Sequence, residues 1–153
     1  MAHYSNTSKE RLATCHPDLQ TVFNYVIRFF DNTILYGHRN EKEQFELYKK
    51  GRTFINGKWV KIGEVVTYKD GVVNKSKHNF NPSLAVDATP YPIDFKDKLR
   101  IIYFAGFVKG VAKMLKEYGA IEHDIIWGGD WNNNTILSDQ HFHDLLHYQI
   151  CEK

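Results

Sequence analysis

Leu84-Ala85-Val86 reads as an apolar strand, and it runs directly into Asp87, a carboxylate where a core segment would be expected to continue. No other feature limits the fold as strongly. A lone ionised carboxylate taken out of water is costly by several kcal/mol, so Asp87 has to be paired, hydrogen-bonded or metal-bound. Further polar intrusions accompany it. His78 lies nine residues earlier on the loop Ser76-Lys77-His78-Asn79, and Asp144-Leu145-Leu146-His147 places an acid and a histidine around two leucines. Gly37-His38-Arg39, with Gln44 five residues beyond the arginine, is equally ill suited to a purely structural role.

The 153 residues have the length of one domain, and a domain of that size removes roughly 70% of its unfolded surface from water. An aromatic content of 14% excludes a disordered chain, and a formal net charge of +2 excludes the positive field that nucleic-acid binding needs. No apolar run approaches the roughly 20 residues that span a bilayer, and Met1 to Leu19 holds no apolar stretch of signal-peptide type. Synthesis in the cytoplasm is therefore expected, with release by a separate protein if the site of action lies outside. Cys15 and Cys151 read as two free thiols.

Met1 to Glu10 is polar and expected to be loose. His16-Pro17-Asp18 opens a helix whose apolar face is Leu19, Val22, Phe23, Val26, Ile27 and Phe30. A strand at Thr33–Tyr36 and a helix at Glu41–Lys50, stopped by Gly51, follow. Asn56-Gly57 and Asp70-Gly71 signal hairpin turns, and the longest helix is expected over Phe95–Tyr118, with Gly106 and Gly110 marking close packing. Strands near Asp124–Trp127 and Leu146–Ile150 complete a single α+β domain, a small antiparallel sheet with helices packed on it.

Two histidines and an aspartate from separated segments suit a three-ligand zinc site with one position open to water. Such a site lowers the water's pKa from about 15.7 to about 7, and a nearby free carboxylate can then shuttle the proton to a leaving amine. Asp144, three residues before His147, is the natural carboxylate. Any chain with eight histidines offers comparable triplets, so spacing alone does not select this one.

SKHNFNPSLAVDATPYP resembles the first metal motif of the zinc D-Ala-D-Ala-type metallopeptidases, in the phage endolysin branch, and DLLHYQ resembles the second. TCHPDLQ, YGHRNEKEQFELYKKGRT, YFAGFVKGVAK and WGGDW are similar to that branch in the same order, so the resemblance spans about Ser8 to Gln149. It implies a hedgehog/D-Ala-D-Ala-peptidase-like fold and a peptidase of peptidoglycan stem peptides, with L-alanyl-D-glutamate endopeptidase as the first reading. It implies one zinc per chain on His78, Asp87 and His147, with Asp144 as general base and then acid. Arg39 would polarise the scissile carbonyl or hold a substrate carboxylate, although an ion pair with Glu41 or Glu43 fits it equally well. Gln44, Ser76 and Trp131 are the substrate-side candidates, Gln44 by orienting the arginine. Leu146 stands where proline is common, and Tyr148-Gln149 replaces an aromatic-acid pair, so a carboxylate that would orient His147 is absent.

The resemblance further implies peptidoglycan as the partner, without nucleic acid or membrane span, and a monomer with no separate wall-binding domain. The alternatives are a D-alanyl-D-alanine carboxypeptidase or dipeptidase and a non-catalytic zinc-binding interaction module. His141 and His143 read as solvated, His16 as part of the helix entrance, and His3, His38 and His123 have no assignable role. The loop Asp130–Asn134 copies the start of an EF-hand, but Thr135 and His141 occupy the glycine and glutamate positions, so calcium is not expected there. Trp127 and Trp131 bracket Gly128-Gly129; one belongs to the core and one to the groove, and periodicity does not decide which.

Overall fold

The computed structural model describes residues 1–152. Four antiparallel strands, β1 (Asn32–Tyr36), β4 (Ala85–Pro90), β5 (Ile125–Trp127) and β6 (His147–Ile150), form a sheet in the order β1-β4-β6-β5. Helices α1 (Asn6–Ala13), α2 (Pro17–Val26) and α4 (Lys98–Glu117) pack around it, while α3 (Glu41–Lys49) leads into the separate hairpin of β2 (Arg52–Ile55) and β3 (Lys58–Lys61). The architecture is the α+β sheet with helices that the sequence predicts.

Helix α2 begins where the sequence places it, with the His16 ring accepting the Asp18 N–H, Pro17 at the first position and an acid near the positive end. Its Leu19, Val22, Phe23 and Val26 are wholly buried against the α4 stripe of Phe104, Ala105 and Val108. Burial of each large apolar side chain contributes about 1.5–3 kcal/mol. Tyr148 of β6 joins this core, with its ring edge-on to Phe23 at 5.3 Å and to Phe104 at 6.3 Å.

Strand alternation then decides the other face. Val86, Ala88, Tyr148 and Ile150 point into the core, which leaves Asp87, His147 and Gln149 on the opposite side of β4 and β6. A slip of one residue would bury those polar groups and expose the apolar ones, so the register is strongly specified.

Several expectations are corrected. Residues 1–10 are not loose: Ser5 caps α1, the buried Ser8 hydroxyl accepts the Ile34 N–H, and the buried Tyr4 hydroxyl donates to the Phe23 carbonyl or Asn32 Oδ1. Asp70-Gly71 is no hairpin turn, because Asp70 Oδ1 accepts the N–H groups of Val72, Val73 and Asn74 and so curls the chain into a side-chain-capped loop. Gly106 and Gly110 face open space rather than a packed partner. Helix α4 starts at Lys98, three residues later than expected, since Asp97 supplies the cap and accepts the Arg100 N–H. Among the described residues, no helix is long and apolar enough to cross a membrane.

Lys113 and Lys116 of α4 both hold Asp124, at 2.9 and 2.6 Å, and fasten the helix to the start of β5. The two ammonium groups lower the Asp124 carboxyl from its ordinary value to about 2. A carboxyl depressed in the folded state contributes stability that is present above its unfolded pKa and lost as pH falls through the folded one. Asp124→Asn is therefore expected to lower the melting temperature at neutral pH and to make little difference near pH 2. Thermal melts of both proteins across that range check this; a constant gap at every pH would contradict it.

Candidate metal centre

Pairing of β4 with β6 sets Asp87 directly opposite His147. His78 arrives from a 3-10 turn, Lys77–Asn79, whose start is capped by the Ser76 hydroxyl and Asn79. This turn is fastened to the segment after β1: Arg39 N–H donates to the His78 carbonyl at 2.8 Å, and Asn79 Nδ2 donates to the Arg39 carbonyl at 2.8 Å. The three residues singled out from the sequence thus meet at one point, with His78 Nε2 and His147 Nδ1 each 3.2 Å from Asp87 Oδ1.

The far nitrogens of both rings establish which atoms face inward. His78 Nδ1 lies 2.7 Å from the Gly37 carbonyl, an acceptor only, so it carries a proton. His147 Nε2 lies 2.9 Å from Gln149 Oε1 and donates to it. In the neutral rings, Nε2 of His78 and Nδ1 of His147 then present lone pairs to a carboxylate oxygen. Three acceptors turned toward one another need a cation among them. Two imidazole nitrogens and a carboxylate form a donor set that suits zinc, so the residues present fit a divalent metal ion. Without an ion, protons on the imidazoles fill the same place. Burial alone would raise the Asp87 carboxyl, but the two histidines outweigh it and hold the group far below the usual range. Burial would lower His147, yet the hydrogen bond and charge of Asp87 raise it.

Asp144 lines the same cleft, a space of about 810 Å³. Its backbone exchanges close contacts with Gly128: Asp144 N–H donates to the Gly128 carbonyl at 2.8 Å, and a Cβ on Gly128 would sit 2.1 Å from the Asp144 carbonyl oxygen. Glycine is required there by that approach. Burial raises the Asp144 carboxyl, and the negative charge of Asp87 raises it further.

Arg39 does not pair with Glu41 or Glu43. Its guanidinium lies 3.5 Å from Asp87 Oδ2, donates to Gln44 Oε1 at 2.8 Å and covers the Tyr36 ring at 4.9 Å, while Glu43 is used in the capping box of α3. Gln44 is wholly buried behind the arginine and is therefore a support rather than a substrate contact. Its amide nitrogen reaches across to the Lys69 carbonyl at 2.8 Å, tying the arginine to the loop that walls the cleft.

Ser76 borders the cleft, but its hydroxyl is engaged in capping the His78 turn. Of the two tryptophans, Trp127 is the core member and Trp131 the cleft member, its ring 5.5 Å from that of His147. Tyr36 at the end of β1, Lys50 at the end of α3, and Tyr68, Lys69, Lys75 and Phe142 from loops also line the cleft; the sequence reading did not single them out. The Asp130 loop is closed on itself, since its carboxylate oxygens accept the N–H groups of Asn134 and Thr135. The Lys109 ammonium lies against Asn133 Oδ1 at 2.5 Å, a tethered cation beside the EF-hand-like stretch.

No family model and no curated protein matches the chain by sequence. Among solved structures, it is similar in fold to the crystal structure of the Serratia marcescens L-Ala D-Glu endopeptidase ChiX, with a TM-score of 0.63 and 21% identity over 97% of this chain and 90% of that one.

Gln149 should matter to metal affinity through His147 alone. Gln149→Leu leaves the Nε2–H without an acceptor, and loss of such an outer hydrogen bond typically weakens binding by about 10–100-fold. Zinc titration against a competing chelator is expected to show that loss while the metal-free chain still melts cooperatively; unchanged affinity would refute the orienting role.

Proposed function

We propose that this chain is a zinc-dependent hydrolase of peptidoglycan stem peptides, an L-alanyl-D-glutamate endopeptidase of endolysin type. The observation that carries the reading is the convergence of His78, Asp87 and His147 on one point beside the half-buried Asp144. The fold it shares with an L-Ala D-Glu endopeptidase supports the choice of bond.

His78 Nε2, Asp87 and His147 Nδ1 would hold the ion. When bound, such an ion supplies Lewis-acid polarisation of a carbonyl and a water acidic enough to attack near neutral pH. The chain's own residues do the rest. Asp144, with a carboxyl raised by burial, takes up a proton from the attacking water and delivers it to the departing nitrogen. Arg39 keeps its charge and its donor fork aimed by Gln44, ready for negative charge developing on the scissile carbonyl oxygen. Trp131 and Phe142, nearly parallel at 6.5 Å, form an apolar wall that limits water on one side of the reacting group. Lys50, Lys69 and Lys75 border the cleft and favour a peptide that bears carboxylates, as stem peptides do. Action on the wall would follow release by a separate holin-like membrane protein.

Two outcomes are expected. Purified walls digested with the zinc-loaded chain should yield new D-glutamate N-termini by mass spectrometry; free D-alanine instead would indicate the carboxypeptidase alternative, and no new termini would end the enzymatic reading. Asp144→Asn should retain fold and zinc while hydrolysis falls at least about a hundredfold, the usual scale of acid–base assistance. Unchanged turnover would remove Asp144 from the reaction.

A further inference from the structure

We propose that His16, Asp18 and His123 form a second divalent-metal site, of the zinc class, that joins the start of α2 to the turn between α4 and β5. One donor atom from each residue lies within 4.8 Å of the other two. The rings of His16 and His123 meet edge to face with centroids 5.1 Å apart. None of the three lines the cleft, and the peptidase chemistry uses none of them.

The carboxylate is already in position. Asp18 is 8% exposed, and its Oδ2 accepts the backbone N–H groups of Glu122 at 3.0 Å and His123 at 2.9 Å. These bonds bring together residues more than a hundred positions apart and fix the oxygen without help from an ion. The His123 Nδ1 lies 2.8 Å from the same oxygen. The His16 Nδ1 accepts the Asp18 N–H at 3.1 Å, so it presents a lone pair to this corner.

Coordination requires the two imidazoles to readjust around the fixed carboxylate. The His123 proton moves from Nδ1 to Nε2, which frees the nitrogen beside Asp18 as a ligand. Tetrahedral ligand atoms at about 2.0–2.1 Å from zinc stand roughly 3.3 Å apart, so the Asp18–His123 contact opens by a few tenths of an ångström. The His16 lone pair turns from the helix N-terminus to the ion, releasing one N–H that water can satisfy. Both imidazoles are half-exposed, which leaves a path for the ion and a fourth position for solvent. The donor set repeats that of the cleft: two imidazole nitrogens around one carboxylate. An ion held there binds only the folded chain and stabilises it by mass action.

Zinc itself is the probe. Full-length chain stripped with chelator and dialysed to equilibrium against zinc is expected to hold two equivalents, and His123→Ala one. His123→Gln keeps a donor for Asp18 while removing a good ligand, so it should also hold one and melt normally without metal. Wall hydrolysis by both variants should match the parent. Should the cleft hold no zinc, the parent would show one equivalent that His123→Gln loses, so failure of the peptidase reading stays distinguishable. Equal zinc in the parent and both variants overturns the proposal, as does extra zinc that survives His123 substitution.

Discussion

Everything in the cleft depends on one cross-strand pair. Asp87 faces His147 across β4 and β6, and the 3-10 turn before β4 delivers His78 to the same carboxylate oxygen. Each imidazole is pinned from behind, one by the Gly37 carbonyl and the other by the Gln149 amide oxygen, so lone pairs are directed inward. Such an arrangement is unfavourable unless positive charge enters, and it is the core that enforces it. Tyr148 and Val86, flanking the pair, are locked against Phe23 and Phe104, which forbids the strands from sliding to relieve the repulsion.

The same economy governs the surroundings. Arg39 pairs with Asp87 at 3.5 Å through one branch, while Gln44 holds the other branch and anchors the cleft wall through Lys69. Gly71 fits against the Gln44 side chain with 2.8 Å between its virtual Cβ and that residue, so the Asp70-capped loop can approach closely. A buried amide with both ends satisfied thus couples a charged group at the site to the shape of the groove. Asp144 is treated oppositely: it is left with fewer donors in a half-buried setting, and its carboxyl rises while that of Asp87 falls. Two acids in one cleft acquire different roles through environment alone.

Much of this was legible beforehand. The helical spacing of Leu19, Val22, Phe23 and Val26 announced α2, and the break of charge into Leu84-Ala85-Val86 marked Asp87 as a residue needing a partner. The motifs around His78 and His147 named the partners through their resemblance to a known family, since spacing alone does not select them among eight histidines. Other features were hidden. The polar segment before Glu10 looked loose because its stabilising contacts, Tyr4 to Phe23 and Asn32, lie far along the chain. Arg39 could not be assigned between an ion pair with Glu41 or Glu43 and a role in the site for the same reason, and the complete burial of Gln44 behind it was not visible because burial is not a local property.

By itself, the sequence determined which side chains demand unusual surroundings: a carboxylate inside an apolar run, an acid and a histidine around two leucines, an amphipathic helix opened by His-Pro-Asp. These follow from hydrophobic period and from the cost of burying charge, both of which act on neighbouring residues. Only the tertiary structure decided the ring atoms that face inward, the tryptophan that lines the groove, the amide behind the arginine, and the meeting of His16 and Asp18 with His123. Each of those depends on strand register and on hydrogen bonds between segments tens of residues apart, and closing such long loops is an energetic outcome of the whole core rather than of any local stretch.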